Sequence, residues 1–257
     1  MDSYNIYEYL LKQDSENENE YLSQQPISDN TRTKIVDLII NLGSDFRTDN
    51  LVIHLAIWLF DKFLSIRVIK QQNLQLLGFT CFFIACKYEE VFPPKITDIV
   101  YQMQGGNTKN ELIQMEVLVL KSVDFYLGTP TADTFLCILV SLLSEDLCTD
   151  SFHLASYFNE LSLLNKRSLK FSYSIVAASS LILSQFVLQK DVFTAKKILI
   201  VTKIDFNSMH EFILILNSLV ATTSESQPAK TIKEKYGIKK YNRVSKLQQP
   251  ENLERCR

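Results

Sequence analysis

FFIACKYEEVFPP, residues 82–94, ends an apolar run with a lysine, an aromatic residue and two glutamates. From Leu76 to Cys86 no residue is charged, the composition of a helix buried on nearly all sides. Continued as a helix, the segment sets Lys87 on the face of Phe83, Ile84 and Val91, because same-face neighbours fall three and four positions apart. A cation at the rim of an apolar surface is either paired inside the protein or held ready for a partner.

Working outward, helix signals dominate, and Gly and Pro cluster at the joints. Asp29, Asn30 and Thr31 each offer a cap for a helix starting near Arg32, and Gly43 reads as its left-handed C-cap. Further helices are expected at about 48–65, 71–88, 95–103 and 109–124, the third of the five stopped by Pro93 and Pro94. After Gly128-Thr129-Pro130-Thr131 five more follow, at about 131–144, 149–164, 168–187, 191–203 and 207–221. YSIVAASSLILSQF, residues 173–186, holds in the second half the place that residues 76–86 hold in the first. The fold class is therefore all-α, two tandem five-helix repeats. The expected domains are 1–30, an N-terminal helix and linker; 31–128 and 129–222, the two repeats; and 223–257, a short helix and basic tail.

Four charges of the first half sit among apolar helical neighbours. Glu116 is flanked at helical spacing by Leu112, Ile113, Val119 and Leu120, Asp61 by Ile57, Trp58 and Leu64, and Arg32 by Ile35 and Val36. Lys87 is the fourth. Two arrangements fit. Arg32 with Asp61 and Lys87 with Glu116 form internal pairs, each offsetting the other's desolvation; or one pair lies at an exposed groove and presents its donors and acceptors to another protein. The second half lacks charges at the matching place, so whatever the pairs do, only the first half does it.

Composition excludes several classes. With 46% hydrophobic and 22% charged residues the chain is ordinary globular protein rather than disordered. Its longest apolar runs fall short of the roughly 20 residues of a membrane span, and the N-terminus lacks a secretory pattern. Five cysteines without a CxxC pair read as reduced, packed thiols in an intracellular protein of nucleus or cytoplasm, and no metal or cofactor is expected. There is no phosphate loop, nucleophile elbow or HExxH, and His54, His153 and His210 are scattered, so an active site is hard to assemble. Net charge is −2, with seven acids in residues 1–30 and seven bases in residues 230–246. So short a basic cluster reads first as solvated surface.

FFIACKYEEVFPP resembles the Ala-(Ser/Cys)-Lys-aromatic-Glu-Glu signature of A- and B-type cyclins, with its following Pro-Pro. RTKIVDLIINLG resembles the opening helix of the cyclin box, LAIWLFDKFLS the second helix, NLQLLG the start of the third, and MEVLVLKSVDFYLGTPT the fifth with the link to a second box. YNIYEYL and IKEKYGIKKYNRVSKLQQPENL are similar to the ends of A-type cyclins, so the likeness runs from Tyr4 to Leu253. The resemblance implies a regulatory subunit that activates a cyclin-dependent kinase as a heterodimer and has no active site of its own. It implies that Lys87 and Glu116 centre the kinase-binding surface, that Tyr88, Glu89 and Phe125 border it, and that Arg32 with Asp61 is a structural ion pair. A competing reading is a cyclin-fold adaptor that binds transcription machinery or other proteins without activating a kinase. Binding of nucleic acid or membrane is not expected.

Two departures from the family pattern are visible. A-type cyclins dock Arg-x-Leu motifs of substrates and inhibitors on a patch built from the first helix and the start of the third. Leu74 and Gln75 match its second part and Ile35 lies within its first, but Thr31, Lys34, Leu38 and Asn41 stand where Met, Ile, Trp and Glu are usual. Weak docking or altered specificity is expected. Mitotic cyclins also carry an Arg-x-x-Leu destruction motif in a long N-terminal extension; this sequence has no Arg followed three residues later by Leu, and destruction by that route is not expected.

Overall fold

A computed structural model describes residues 3–16, 27–143, 147–190, 192–221 and 227–247. All regular structure among them is helical and divides into two compact units. An N-terminal helix, α1 (Ser3–Glu16), opens the chain but clusters with the unit that begins at Ala132. The first five-helix unit contains α2 (Asp29–Phe46), α3 (Asn50–Ile66), α4 (Leu74–Glu89), α5 (Ile96–Gln102) and α6 (Lys109–Ser122). The other unit contains α7 (Ala132–Leu142), α8 (Thr149–Leu163), α9 (Tyr173–Val187), α10 (Val192–Thr202) and α11 (Phe206–Ala221), followed by α12 (Gln227–Lys235). These are the two tandem five-helix repeats with flanking N- and C-terminal helices that the sequence leads one to expect.

In the first unit α4 is the central element, buried at every position from Leu76 to Cys86, with α2, α3, α5 and α6 packed on it. A helix apolar all round has no solvent face to lose, so it is driven to the middle. Gly78 lets α2 approach: a Cβ there would stand 2.8 Å from Ile35 Cγ2. In the second unit α9 takes the same role among α7, α8, α10 and α11, and its small residues Ala177, Ala178, Ser179 and Ser180 are all buried.

Several local expectations are corrected. Gly43 does not end α2; the helix runs on to Phe46 and closes with Arg47 in the left-handed region, φ 56°. Gly43 is required instead by packing, since a Cβ there would stand 2.7 Å from Ile53 Cδ1 of α3. The α2 cap is Ser28, whose hydroxyl accepts from Thr31 N at 3.2 Å, not Asp29, Asn30 or Thr31. The helix expected from residue 168 is broken: Lys166–Lys170 is a 3₁₀ turn, and α9 starts at Tyr173. Its start is set from far away in sequence. Asp14 of α1 accepts from Tyr173 N at 3.0 Å and from Ser174 N at 2.9 Å, capping α9 with a buried carboxylate. Burial raises the Asp14 pKa, against the lowering effect of these hydrogen bonds. Glu8 with Lys203 and the Tyr7 hydroxyl near the Thr202 carbonyl complete the seat of α1.

Candidate functional site

The first unit holds its four embedded charges in two pairs of opposite character. Arg32 in the first turn of α2 meets Asp61 of α3 through two parallel bonds, Nε to Oδ1 at 2.8 Å and Nη2 to Oδ2 at 2.7 Å. The side chains are only 6% and 10% exposed, so this fork sits inside the unit. Lys87, in the last turn of α4, forms an ion pair with Glu116 of α6 at the surface, the side chains 41% and 13% exposed. The Lys87 ammonium also lies 4.6 Å from the ring centroid of Phe83, one turn back. Partial burial lowers the Lys87 pKa. The two pairs thus separate the alternatives that the sequence leaves open: one is interior, and the other stands at a rim with donor capacity left toward solvent.

In the same unit α4, α6 and the links that follow them expose apolar side chains. Tyr88, Ile113, Val117, Phe125 and Tyr126 are all exposed, and Val91 and Phe92 in the link after α4 are 85% and 91% exposed. Asp124 and Phe125 both take left-handed backbone, φ 50° and 58°, which ends α6 and turns the chain. Phe125 N donates to the Leu120 carbonyl at 2.9 Å, holding the turn against α6. Tyr88 and Tyr126 converge on Gly128, where a Cβ would stand 3.7 Å from the Tyr88 hydroxyl and 3.6 Å from Tyr126 Cε2. Lys87, paired with the largely buried Glu116, thus has the exposed Tyr88 beside it in the chain, and Tyr88 meets Tyr126 at Gly128.

The two glutamates after Tyr88 part ways. Glu90 Oε1 accepts from Asp49 N at 3.1 Å and so ties the end of α4 to the start of α3. Glu89 stays exposed, its pKa raised by partial burial and by the nearby Asp49 and Glu90 carboxylates. Val91 is not on the face of Lys87, because α4 ends at Glu89 and residue 90 is already extended. Ile113 belongs to the exposed surface rather than to the buried side of α6, which Leu112, Met115 and Val119 form. Sequence reasoning did not single out Val117, Tyr126 or Phe92; Val117 alone carries a signal, since it falls between the buried Met115 and Val119 of α6.

The docking-patch residues divide between buried and exposed positions. Ile35 and Leu74 are buried, Leu74 only 3% exposed, and Ile35 with Leu38 covers Gly78. Thr31 shares a hydrogen bond with Ser28, and Asn41 donates to the partly buried Asp37. Lys34 and Gln75 are left as the exposed members. Among the described residues no cluster of His, Cys, Asp and Glu is placed to hold a metal ion, and no helix is long and apolar enough to cross a membrane.

Comparison with known proteins places this arrangement. Residues 5–128 match the family description "Cyclin, N-terminal domain" and residues 130–250 match "Cyclin, C-terminal domain". Human Cyclin-A1 is 32% identical over 251 residues, which cover 95% of this chain and 53% of that protein. The G2/mitotic-specific cyclin-A of Patella vulgata is 30% identical over 96% of this chain and 58% of its own length, and a putative cyclin-A3-1 of Arabidopsis thaliana is 36% identical over 72% of this chain and 54% of its own. The chain thus spans about half the length of these curated relatives. Among solved structures, a viral cyclin from herpesvirus saimiri superposes with a TM-score of 0.75 at 19% identity, covering 84% of this chain and 96% of that one. A chain of the yeast RNA polymerase II CTD kinase CTDK-1 complex gives 0.61 at 14% identity, covering 95% and 84%. With both domain descriptions matched in order over nearly its whole length, and with relatives of the A type, the chain belongs to the cyclin family.

Proposed function

We propose that this chain binds a cyclin-dependent protein kinase through the Lys87 and Glu116 surface and activates it allosterically, as a regulatory subunit without catalysis of its own. The observation that carries the reading is the placement of that ion pair at the surface, next to the exposed Tyr88, where an internal pair would be enclosed as Arg32 and Asp61 are. Lys87 has donors to spare for main-chain carbonyls of a partner, and Glu116 fixes its direction. Tyr88, Phe125 and Tyr126 supply apolar area whose burial gives most of the affinity, while the charges set register. A monomeric kinase of this class holds its αC helix outward and lacks the Lys-to-Glu pair that positions ATP phosphates. A rigid helical face that fits only the inward αC shifts the population toward the active state, because binding one state better is the sole way a ligand moves an equilibrium.

The test is titration calorimetry against purified monomeric cyclin-dependent kinases. Lys87→Ala with Glu116→Ala is expected to weaken binding roughly 30-fold, the scale of a hot-spot truncation near 2 kcal/mol. Unchanged affinity would place the interface elsewhere. A second outcome concerns substrates. With Leu74 and Ile35 buried, Lys34 exposed and Asn41 engaged by Asp37, an Arg-x-Leu peptide finds neither an open apolar slot nor a ready acid. Its binding is expected to be about tenfold or more weaker than to human Cyclin-A1. Equal affinity would contradict this account of the patch.

A further inference from the structure

The basic stretch near the C-terminus is folded, and most of its bases are exposed. Tyr236, Ile232 and Val244 are buried, and 3₁₀ turns at Lys239–Tyr241 and Val244–Lys246 pack the segment against α8. Asn242 and Arg243, both left-handed, fold the chain back so that Arg243 N donates to the Ile238 carbonyl at 3.1 Å and the Ser245 hydroxyl to the Lys233 carbonyl at 2.6 Å. Asn242 Nδ2 anchors the loop to Asp150 at 2.6 Å. One base, Lys235, is consumed by the buried Glu160. Lys233, Lys239, Lys240, Arg243 and Lys246 are exposed, and Glu234 is the one exposed acid of the described segment 227–247. The backbone closure gathers these five around a single loop, and aliphatic Ile238 and Leu247 stand exposed at its two ends.

We propose that the segment Ile238 to Leu247 is a docking surface for acidic protein segments that carry an aliphatic residue. Charge complementarity selects the partner class: a dense positive loop on a chain of net charge −2 attracts acidic chains locally and not polyanions over the whole protein. Ile238 and Leu247 provide the apolar anchor that turns steering into residence. Because the loop is already held by buried residues, binding costs little ordering. Nucleic acid fits less well, since single strands need exposed rings to stack on. Here Tyr236 is buried, and Tyr241 is packed between Tyr236, 4.7 Å away, and His153, 5.5 Å away. This segment belongs to the unit that begins at Ala132, whereas Lys87 and Glu116 belong to the other, and the proposal does not depend on kinase binding.

Fluorescence anisotropy with the full chain tests it. The probe is a short labelled peptide alternating Asp or Glu with Leu; the comparators are its Asn and Gln counterpart, a labelled oligothymidine and vesicles of phosphatidylcholine with phosphatidylserine. The acidic peptide is expected to bind about tenfold tighter than the neutral one and to weaken as salt rises. A variant combining Lys239→Ser, Lys240→Ser, Arg243→Asn and Lys246→Ser, with unchanged circular dichroism, is expected to lose about tenfold in affinity, and Ile238→Ser with Leu247→Ser to lose roughly threefold. Asn at position 243 keeps a residue that tolerates left-handed backbone. Acidic-peptide binding unaffected by the basic-to-polar variant, no binding at all, or tighter binding of oligothymidine or vesicles than of the peptide would each overturn the proposal.

Discussion

Arg32→Ala is expected to lower the unfolding free energy of the first unit by about 3–5 kcal/mol, because it strands the Asp61 carboxylate in an interior from which water is excluded. Both of its oxygens lose a guanidinium donor at once, and the cost is that of an uncompensated buried charge more than of a lost contact. The pair replaced as a whole, Arg32→Met with Asp61→Leu, is expected to recover most of the loss, since apolar groups of similar volume need no solvation. The readout is specific. Trp58 is the sole tryptophan of the chain and is buried in α3, so its fluorescence during urea unfolding reports this unit. A loss below about 1 kcal/mol for Arg32→Ala would mean that water reaches the pair.

Lys235→Ala is expected to have a comparable effect in the second unit, again about 3–5 kcal/mol, because Glu160 is fully buried in α8 and Lys235 of α12 is its ion-pair partner. The ammonium joins α12 to the unit and also lies 5.3 Å from the Tyr236 ring, whose own neighbour on α8 is Tyr157 at 5.6 Å. Its removal should release α12 and the following turns, seen as lost hydrogen-exchange protection in α12 and in the middle of α8. Lys235→Ala combined with Glu160→Gln should restore part of that protection by removing the stranded charge. Undiminished protection in Lys235→Ala would show that apolar burial of Ile232, Tyr236 and Val244 suffices to hold the segment.

What the residues reveal and what they hide follows from range. Apolar runs at positions 76–86 and 173–186 mark the central helices because a helix buried all round leaves a local signature. Lys87, Glu116, Arg32 and Asp61 stand out for the same reason, as charges among apolar neighbours one turn away. Which pair is enclosed and which is exposed is not local: it depends on how α2 meets α3 and how α4 meets α6. Gly43 looks like a helix end by type, yet its missing side chain answers Ile53 of another helix. Asp14 caps a helix 159 residues away, and Glu160 meets Lys235 across 75, so neither leaves a sequence pattern. Glu160 in particular reads as an ordinary polar position of α8 until its burial is known.

The central claim, activation through the Lys87 and Glu116 surface, is tested most directly by phosphorylation of a histone substrate by monomeric cyclin-dependent kinases mixed with this protein or with its Lys87→Ala, Glu116→Ala variant. The account predicts strong stimulation by the unaltered chain and little by the variant at equal concentration. Kinase binding without stimulation, or equal stimulation by both proteins, would contradict it.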